Sequence, residues 1–372
     1  MNSPMKIKAA VLREPGRPFS IESLELAPPG AGEVLVRMVA CGICHTDVAC
    51  RDAVIPLPMP IVLGHEGAGV VEQVGAEVSG VAPGDHVLLS FASCGQCGPC
   101  LCNQSAYCKD FGPLNFGGGR LGGTTSLSRS GEQIRSHFFG QSAFASHVVV
   151  AKRNVVVVGK SVPLEQLAPL GCGVQTGAGA VLNHLRPRVG DSLVVFGTGA
   201  VGMSALMAAK ASGCTTILAV DRVQERLCLA TELGATHTVC ATSPEDTLAA
   251  VRAVSPSGFN HSIDTTGVAE VVGAAVQSLA RMGNCVLLGM YPPGLKLPFD
   301  ARLLVLNGLT VTGVVEGNSE PDIFIPQLVS LHERGMLPVE RMVSHFPFEK
   351  INEAMEASAR SRVLKPVLLF PS

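Results

Sequence analysis

The densest chemistry in the sequence sits in seven residues, Cys-Gly-Ile-Cys-His-Thr-Asp, running from Cys41 to Asp47. Two thiols three positions apart serve zinc sites and dithiol redox couples alike. Which of these the segment serves depends on the distant residues that join it. His65 and Glu66 in GHEGAGVVEQVG (64–75) and Cys172 in APLGCGVQTG (168–177) are the candidates. Cys44, His65 and Cys172 would make a Cys2His zinc site with a fourth position open to water or substrate, which is a catalytic pattern. Taken singly, each cysteine is better read as a small buried hydrophobe, and spacing alone does not unite residues so far apart.

A second cluster is self-contained. Cys94, Cys97, Cys100 and Cys108 lie in CGQCGPCLCNQSAYC (94–108). Four thiolates in one loop enclose a tetrahedral zinc with no open position, so this site is structural. Gly95 and Gly98 let the backbone turn around the ion. An iron–sulfur cluster is the rival, but bacterial cluster runs are spaced differently and carry a proline after the last cysteine, where this chain has Lys109. Cys102 reads as a bystander. Unliganded thiols are the bland alternative, and packing gives no reason for so many cysteines in a polar, glycine-rich loop.

The third signal is GTGAVG, from Gly197 to Gly202, directly after the apolar strand SLVVF and opening a helix. Gly197 makes the turn, Gly199 lets a pyrophosphate approach the backbone, and Gly202 allows helix and strand to pack closely. Ala200 and Val201 complete the cofactor-binding loop. Asp221 ends the next strand, at the position of a ribose-binding carboxylate, and would repel a 2′-phosphate. NAD is therefore expected over NADP, with the neighbouring Arg222 as the residue that would serve a phosphate. A glycine turn in a non-binding α/β protein is the alternative.

These residues need a scaffold. The chain has 372 residues, 47% apolar and 16% charged, with a net charge of −2. That suits a compact enzyme of two domains and gives no basic face for nucleic acid. No apolar run reaches the roughly 18 residues that span a bilayer, and the N-terminal stretch has no secretory signal pattern, so no membrane partner and a cytoplasmic location are expected. Thirteen cysteines, an odd number, point to reduced thiols available for metal. The first third reads as short strands separated by turns, among them EVLVRMVACG and DHVLLSF. From about residue 174 strands and helices alternate, as in a parallel sheet covered on both faces. The tail, EKINEAMEASARSRVLKPVLLF, reads as a helix and a strand that rejoin the first domain.

CGICHTD, GHEGAGVVEQVG, the four-cysteine loop, GCGVQTG and GTGAVG occur in the order found in the zinc-dependent medium-chain alcohol dehydrogenases, and the resemblance covers essentially the whole chain. SHFFGQSAFASH and APLGCGVQTGAGA are most similar to the bacterial aryl-alcohol (benzyl alcohol) and allylic terpene-alcohol branch. The resemblance implies an α/β protein in two domains. A GroES-like β-barrel catalytic domain takes residues 1–173 and 316–372. A doubly wound Rossmann domain with a six-stranded parallel sheet takes 174–315.

Roles follow from the same resemblance. Cys44, His65 and Cys172 hold the catalytic zinc, and Cys94, Cys97, Cys100 and Cys108 the structural one. Glu66 lies behind the metal, Asp47 hydrogen-bonds His65, and Thr46 takes the proton of an alcohol whose hydride passes to NAD. Arg226 contacts the ribose, while His45 and Lys365 face the pyrophosphate. Cys41 is then buried or incidental, and Cys41 and Cys44 are not a redox pair. Where many members carry a histidine that ends the proton relay, this chain has Ala49, which leaves water, Arg51 or His45 to assist. Phe91, Phe116 and Phe139 are candidates to line an aromatic or isoprenoid pocket. His86 and His147 have no assigned role. A homodimer or homotetramer is expected. The rivals are a glutathione-dependent formaldehyde dehydrogenase, a polyol dehydrogenase, and a non-catalytic NAD-binding protein.

Overall fold

The structure is a computed structural model and describes residues 3–371. The chain divides into two units: one takes in the chain up to Cys172, Glu320–Glu333 and everything from Val339 on, and the other takes in Gly173–Ser319 with Arg334–Pro338.

The first unit is built mainly of antiparallel strands, the tail pair Val343–Pro347 and Lys365–Leu369 being parallel. Ten precede residue 172: β1 (Met5–Leu12), β2 (Ser20–Leu26), β3 (Glu33–Gly42), β4 (Ile61–Val62), β5 (Glu66–Val74), β6 (His86–Leu89), β7 (Leu127–Arg129), β8 (Glu132–Ile134), β9 (His147–Ala151) and β10 (Val155–Val158). One sheet has the order β4-β1-β2-β7-β8. The other runs β10-β6-β5-β3 and continues into two strands from the tail, with β9 also pairing β3. Apolar side chains from both sheets, among them Ile7, Leu24, Val36, Val71 and Leu89, form one buried core with Phe138 and Phe144 from the segment before β9. Removing such residues from water is the main drive for this packing.

This scaffold sets the chemistry at one place. β3 and β5 pair so that Gly42 faces Glu66. β3 then ends and the chain turns into the helix His45–Arg51, with Cys44 at its N-cap. The approach is so close that a Cβ on Gly42 would lie 2.0 Å from Glu66 Oε2. No other residue fits there without moving the acid.

In the second unit β11 (Ser192–Phe196), β12 (Thr216–Asp221), β13 (His237–Cys240), β14 (Phe259–Asp264), β15 (Leu279–Leu287) and β16 (Thr310–Gly313) form a six-stranded sheet ordered β13-β12-β11-β14-β15-β16. Every pair in it is parallel. The apolar run Leu193–Phe196 is buried throughout, as a central strand covered on both faces requires. The order reverses at β11, which places the crevice for a ligand at its carboxyl end, where Gly197 begins. The helix Ala200–Ala211 follows with Gly199 at its N-cap.

The tail returns to the first unit. β17 (Val343–Pro347) and β18 (Lys365–Leu369) flank the helix Ile351–Ala359, and β18 pairs antiparallel with β3 through Val367 and Gly42. That pairing brings Lys365 under the cysteine helix.

Candidate active site and cofactor site

Cys44, His65 and Cys172 come together in the first unit, with their ligand atoms all within 4.8 Å of one another. Asp47, one turn into the cysteine helix, holds this arrangement. Its Oδ2 accepts the Cys44 backbone N–H at 2.9 Å, and its Oδ1 accepts Gly64 N–H at 3.1 Å. The same Oδ1 lies 3.2 Å from His65 Nδ1. A carboxylate on Nδ1 leaves Nε2 as the free lone pair of the ring. That Nε2 is buried and has no hydrogen-bond partner, an orphan that a metal ion would satisfy.

The charges fit the same reading. The Cys44 thiol is held well below the ordinary range, first by a hydrogen bond from Cys172 and, against burial, by His65. Burial alone would lower the His65 imidazole, but Asp47 and Cys44 reverse this and raise its preference for positive charge. A thiol held toward its thiolate beside a second thiol and an imidazole is the donor set of an open zinc site.

Aromatic rings pack against the histidine. Phe139 stacks on His65 with centroids 4.4 Å apart, and Phe138 meets it edge-on at 5.4 Å. Phe139 also touches Phe116 and Phe111, and Phe111 reaches Phe91. The three phenylalanines read from sequence as pocket residues thus belong to one cluster that ends on a candidate metal ligand. Thr46 Oγ1 is 3.7 Å from Cys44 Sγ, and His45 is exposed at the start of the same helix.

Cys94, Cys97, Cys100 and Cys108 also converge within 4.8 Å. Cys97 Sγ lies 3.5 Å from Cys100 Sγ and 3.9 Å from Cys108 Sγ. With Zn–S bonds of about 2.3 Å, the edge of a tetrahedron is about 3.8 Å, so the sulfurs stand at zinc-binding separation. Backbone N–H groups of Cys100 and Lys109 bring the Cys97 thiol down to about 6. Cys102 stays outside the set and is exposed.

In the second unit the glycine loop passes a geometric test. Gly197 has φ +88°, and a Cβ there would strike Thr265 Oγ1 at 2.4 Å. A Cβ on Gly202 would lie 2.0 Å from the Gly197 carbonyl. Gly199 is different: a Cβ there meets nothing within 4 Å. Protein packing does not demand that glycine, so the open face in front of the helix N-terminus fits a phosphate approaching the backbone. Asp221 ends β12 beside this loop, and Arg226 lies 4.0 Å from its Oδ2. Ala200 and Val201 open the helix and are half-buried.

A family model described as an alcohol dehydrogenase GroES-like domain matches residues 30–160, and one described as a zinc-binding dehydrogenase matches residues 200–331. The geraniol dehydrogenase of Castellaniella defragrans is 42% identical over 98% of this chain and 97% of its own length. This chain belongs to the zinc-dependent medium-chain alcohol dehydrogenases. Solved structures of this family match it closely. An alcohol dehydrogenase zinc-binding domain protein from Burkholderia ambifaria is 48% identical with a TM-score of 0.96, covering 99% of this chain and 100% of its own. The benzyl alcohol dehydrogenase of Acinetobacter calcoaceticus is 41% identical with a TM-score of 0.95 and the same coverage. The chain is therefore an oxidoreductase of alcohols, and its family implies zinc and a nicotinamide dinucleotide as cofactors.

Two expectations for this dehydrogenase are corrected. Lys365 does not present its ammonium as a free anion-binding group. It is buried, and its Nζ lies 2.7 and 2.9 Å from Glu66 Oε1 and Oε2 and 3.3 Å from the Ile43 carbonyl. Those three acceptors use its three donors. Arg51 is likewise committed, with bonds of 2.7 and 2.9 Å to Asp52, so its guanidinium is not free to assist the release of the alcohol proton.

Cys41 is buried, its Sγ donates to the Gly42 carbonyl, and burial pushes its thiol well up. That is not the profile of a redox cysteine. His86 and His147 lie on strands away from these clusters, with His147 Nε2 3.5 Å from Glu72. Gln141 was missed by sequence reasoning. It donates to the His65 carbonyl at 2.9 Å and accepts Gly67 N–H at 3.2 Å, and a lone glutamine between aromatic and small residues carries no sequence signal for this.

Proposed function

We propose that this chain oxidises primary aromatic or allylic alcohols to aldehydes with NAD. The observation that carries the reading is the Cys44–His65–Cys172 triangle, with Asp47 behind the histidine and the orphaned His65 Nε2 facing the sulfurs. The full-length likeness to a geraniol dehydrogenase and a benzyl alcohol dehydrogenase supports the substrate class. So does the phenylalanine cluster that ends on His65.

Bound zinc supplies a Lewis acid that acidifies the alcohol, and NAD supplies the hydride acceptor. Cys44, His65 and Cys172 hold the metal, and Asp47 fixes the tautomer of His65. Thr46 Oγ1 holds the alcohol proton and releases it to water, since Ala49 offers no imidazole one turn on. The GTGAVG loop seats the pyrophosphate, and Asp221 with Arg226 binds the adenosine ribose. Cys94, Cys97, Cys100 and Cys108 hold a second zinc that braces their loop. This division assigns residues 1–173 and 316–372 to catalysis and 174–315 to the cofactor.

The working form is a homodimer or homotetramer. Support comes from β16, a sheet edge, and from the adjoining helix Ala301–Asn307, which buries no residue and leaves Val305 80% and Leu306 67% exposed. A cytoplasmic location fits thirteen cysteines that form no disulfide among the described residues. Among the described residues no helix is long and apolar enough to cross a membrane. The test is stoichiometric formation of NADH and aldehyde from geraniol or benzyl alcohol by the wild-type chain and not by Cys44→Ser.

A further inference from the structure

We infer that Thr198, between the first two glycines of the loop, is the positioning residue that sets cofactor choice by holding the Asp221 carboxylate in one orientation. The inference rests on the NAD reading of this site. Asp221 Oδ2 accepts two bonds from Thr198, from the backbone N–H at 2.6 Å and from Oγ1 at 2.8 Å. Its Oδ1 accepts Val223 N–H at 3.0 Å. A carboxylate offers about four acceptor positions. Three are filled from within the protein, and the one left is on Oδ1.

The consequence is directional. The ribose meets a carboxylate whose free lone pair is already aimed, so binding a hydroxyl requires no reorientation. A 2′-phosphate meets the same charge and cannot push it aside, because Thr198 grips the far oxygen. Thr198 is itself wholly buried, which makes the grip stiff. Nothing in the turn demands a hydroxyl at that position, and valine has nearly the same shape.

Releasing the grip has a specific effect. Arg226 stands 4.0 Å from Asp221 Oδ2, and Arg222 is exposed as the next residue. Without the Thr198 Oγ1 bond, Asp221 keeps only its two backbone N–H bonds and can lean toward Arg226, so its free lone pair is no longer fixed in one direction. A carboxylate that can lean away no longer sets a fixed charge against a 2′-phosphate, and the exposed Arg222, next in sequence, is the cation available to meet one. Loss of the hydroxyl therefore weakens NAD and admits NADP together, whereas a merely structural residue would weaken both.

The test uses the full chain with Thr198→Val, Thr198→Ser and Asp221→Ala. Dissociation constants for NADH and NADPH are measured by calorimetry, with KM and kcat for NAD and melting temperatures alongside. The expected result is NADH binding about tenfold weaker in Thr198→Val, as for loss of one hydrogen bond to a charged group. NADPH binding holds or tightens, the loss appears in KM more than in kcat, and Thr198→Ser restores the wild-type ratio. If Asp221→Ala shifts the NADH:NADPH ratio but Thr198→Val does not, the inference is overturned and the NAD reading stands. A Thr198→Ser variant that fails to restore the ratio also overturns it. If Asp221→Ala leaves the ratio unmoved, the NAD reading falls and takes the inference with it.

Discussion

The Lys365 ammonium lies 2.7 and 2.9 Å from the two oxygens of Glu66, and both side chains are closed off from solvent. Burial alone would lower the lysine, but the carboxylate beside it holds it above the ordinary lysine range. The pair neutralises an acid that adjoins a metal ligand in sequence, and it joins the tail strand β18 to the start of β5, next to His65. Lys365→Met leaves an uncompensated buried carboxylate and is expected to cost about 3–5 kcal/mol. Glu66→Gln with Lys365→Met should recover part of that loss. Thermal melting of the two single variants and the double variant checks the coupling, and additive effects would contradict it.

Cys44→Ser and His65→Ala should each remove one zinc per chain and leave the secondary structure intact. Losing a Lewis acid that contributes several kcal/mol lowers turnover about 1,000-fold or more. Metal analysis, circular dichroism and turnover of the purified variants check this. Near-normal turnover in either would contradict the ligand assignment.

Cys97→Ser should act differently. Its sulfur stands within 4 Å of two other thiols, so its loss opens a closed site whose zinc contributes to folding. The melting temperature should fall and one zinc should be lost, while the remaining folded protein keeps measurable activity. A variant with wild-type stability and two zinc ions would refute a structural role.

His137 gives a pH dependence. Burial, with the Arg120 charge adding to it, lowers its imidazole from 6.5 to about 4. The unfolded chain binds the proton first, so the contribution of this residue is complete above pH 6.5 and is lost as the pH falls toward 4. The difference corresponds to about 3 kcal/mol. His137 has φ +60°, which asparagine tolerates. The stability gap between wild type and His137→Asn should therefore narrow between pH 6.5 and 4. Metal loss in acid affects both proteins, so the gap, not the absolute stability, is the readout. A gap independent of pH would exclude His137.

Much of this was legible from residue types. The strand–glycine–helix sequence around GTGAVG placed the parallel sheet, because a buried parallel strand must be apolar throughout and its turn must be glycine. The four-cysteine loop was legible because its ligands are local. Cys44, His65 and Cys172 were chemically suggestive but spatially unconnected, since no local rule brings residue 172 to residue 44. Family resemblance supplied that link, and the structure supplies the contact. Lys365 was misplaced for the same reason. The resemblance set this tail lysine at the pyrophosphate, whereas the pairing of β18 with β3 turns it inward onto Glu66. Phe139 stacking on His65 depends on left-handed backbone at His137 and Phe139, which non-glycine residues do not announce.

The most direct measurement of the central claim is NADH formation by the zinc-loaded wild-type chain with geraniol, cinnamyl alcohol and benzyl alcohol, set against ethanol and hydroxymethylglutathione. The account predicts kcat/KM values for the aromatic and allylic alcohols well above those for ethanol and the glutathione adduct. Preference for ethanol or the glutathione adduct would contradict the proposed substrate class, and no turnover of any of these alcohols by protein carrying two zinc ions would contradict the proposed function itself.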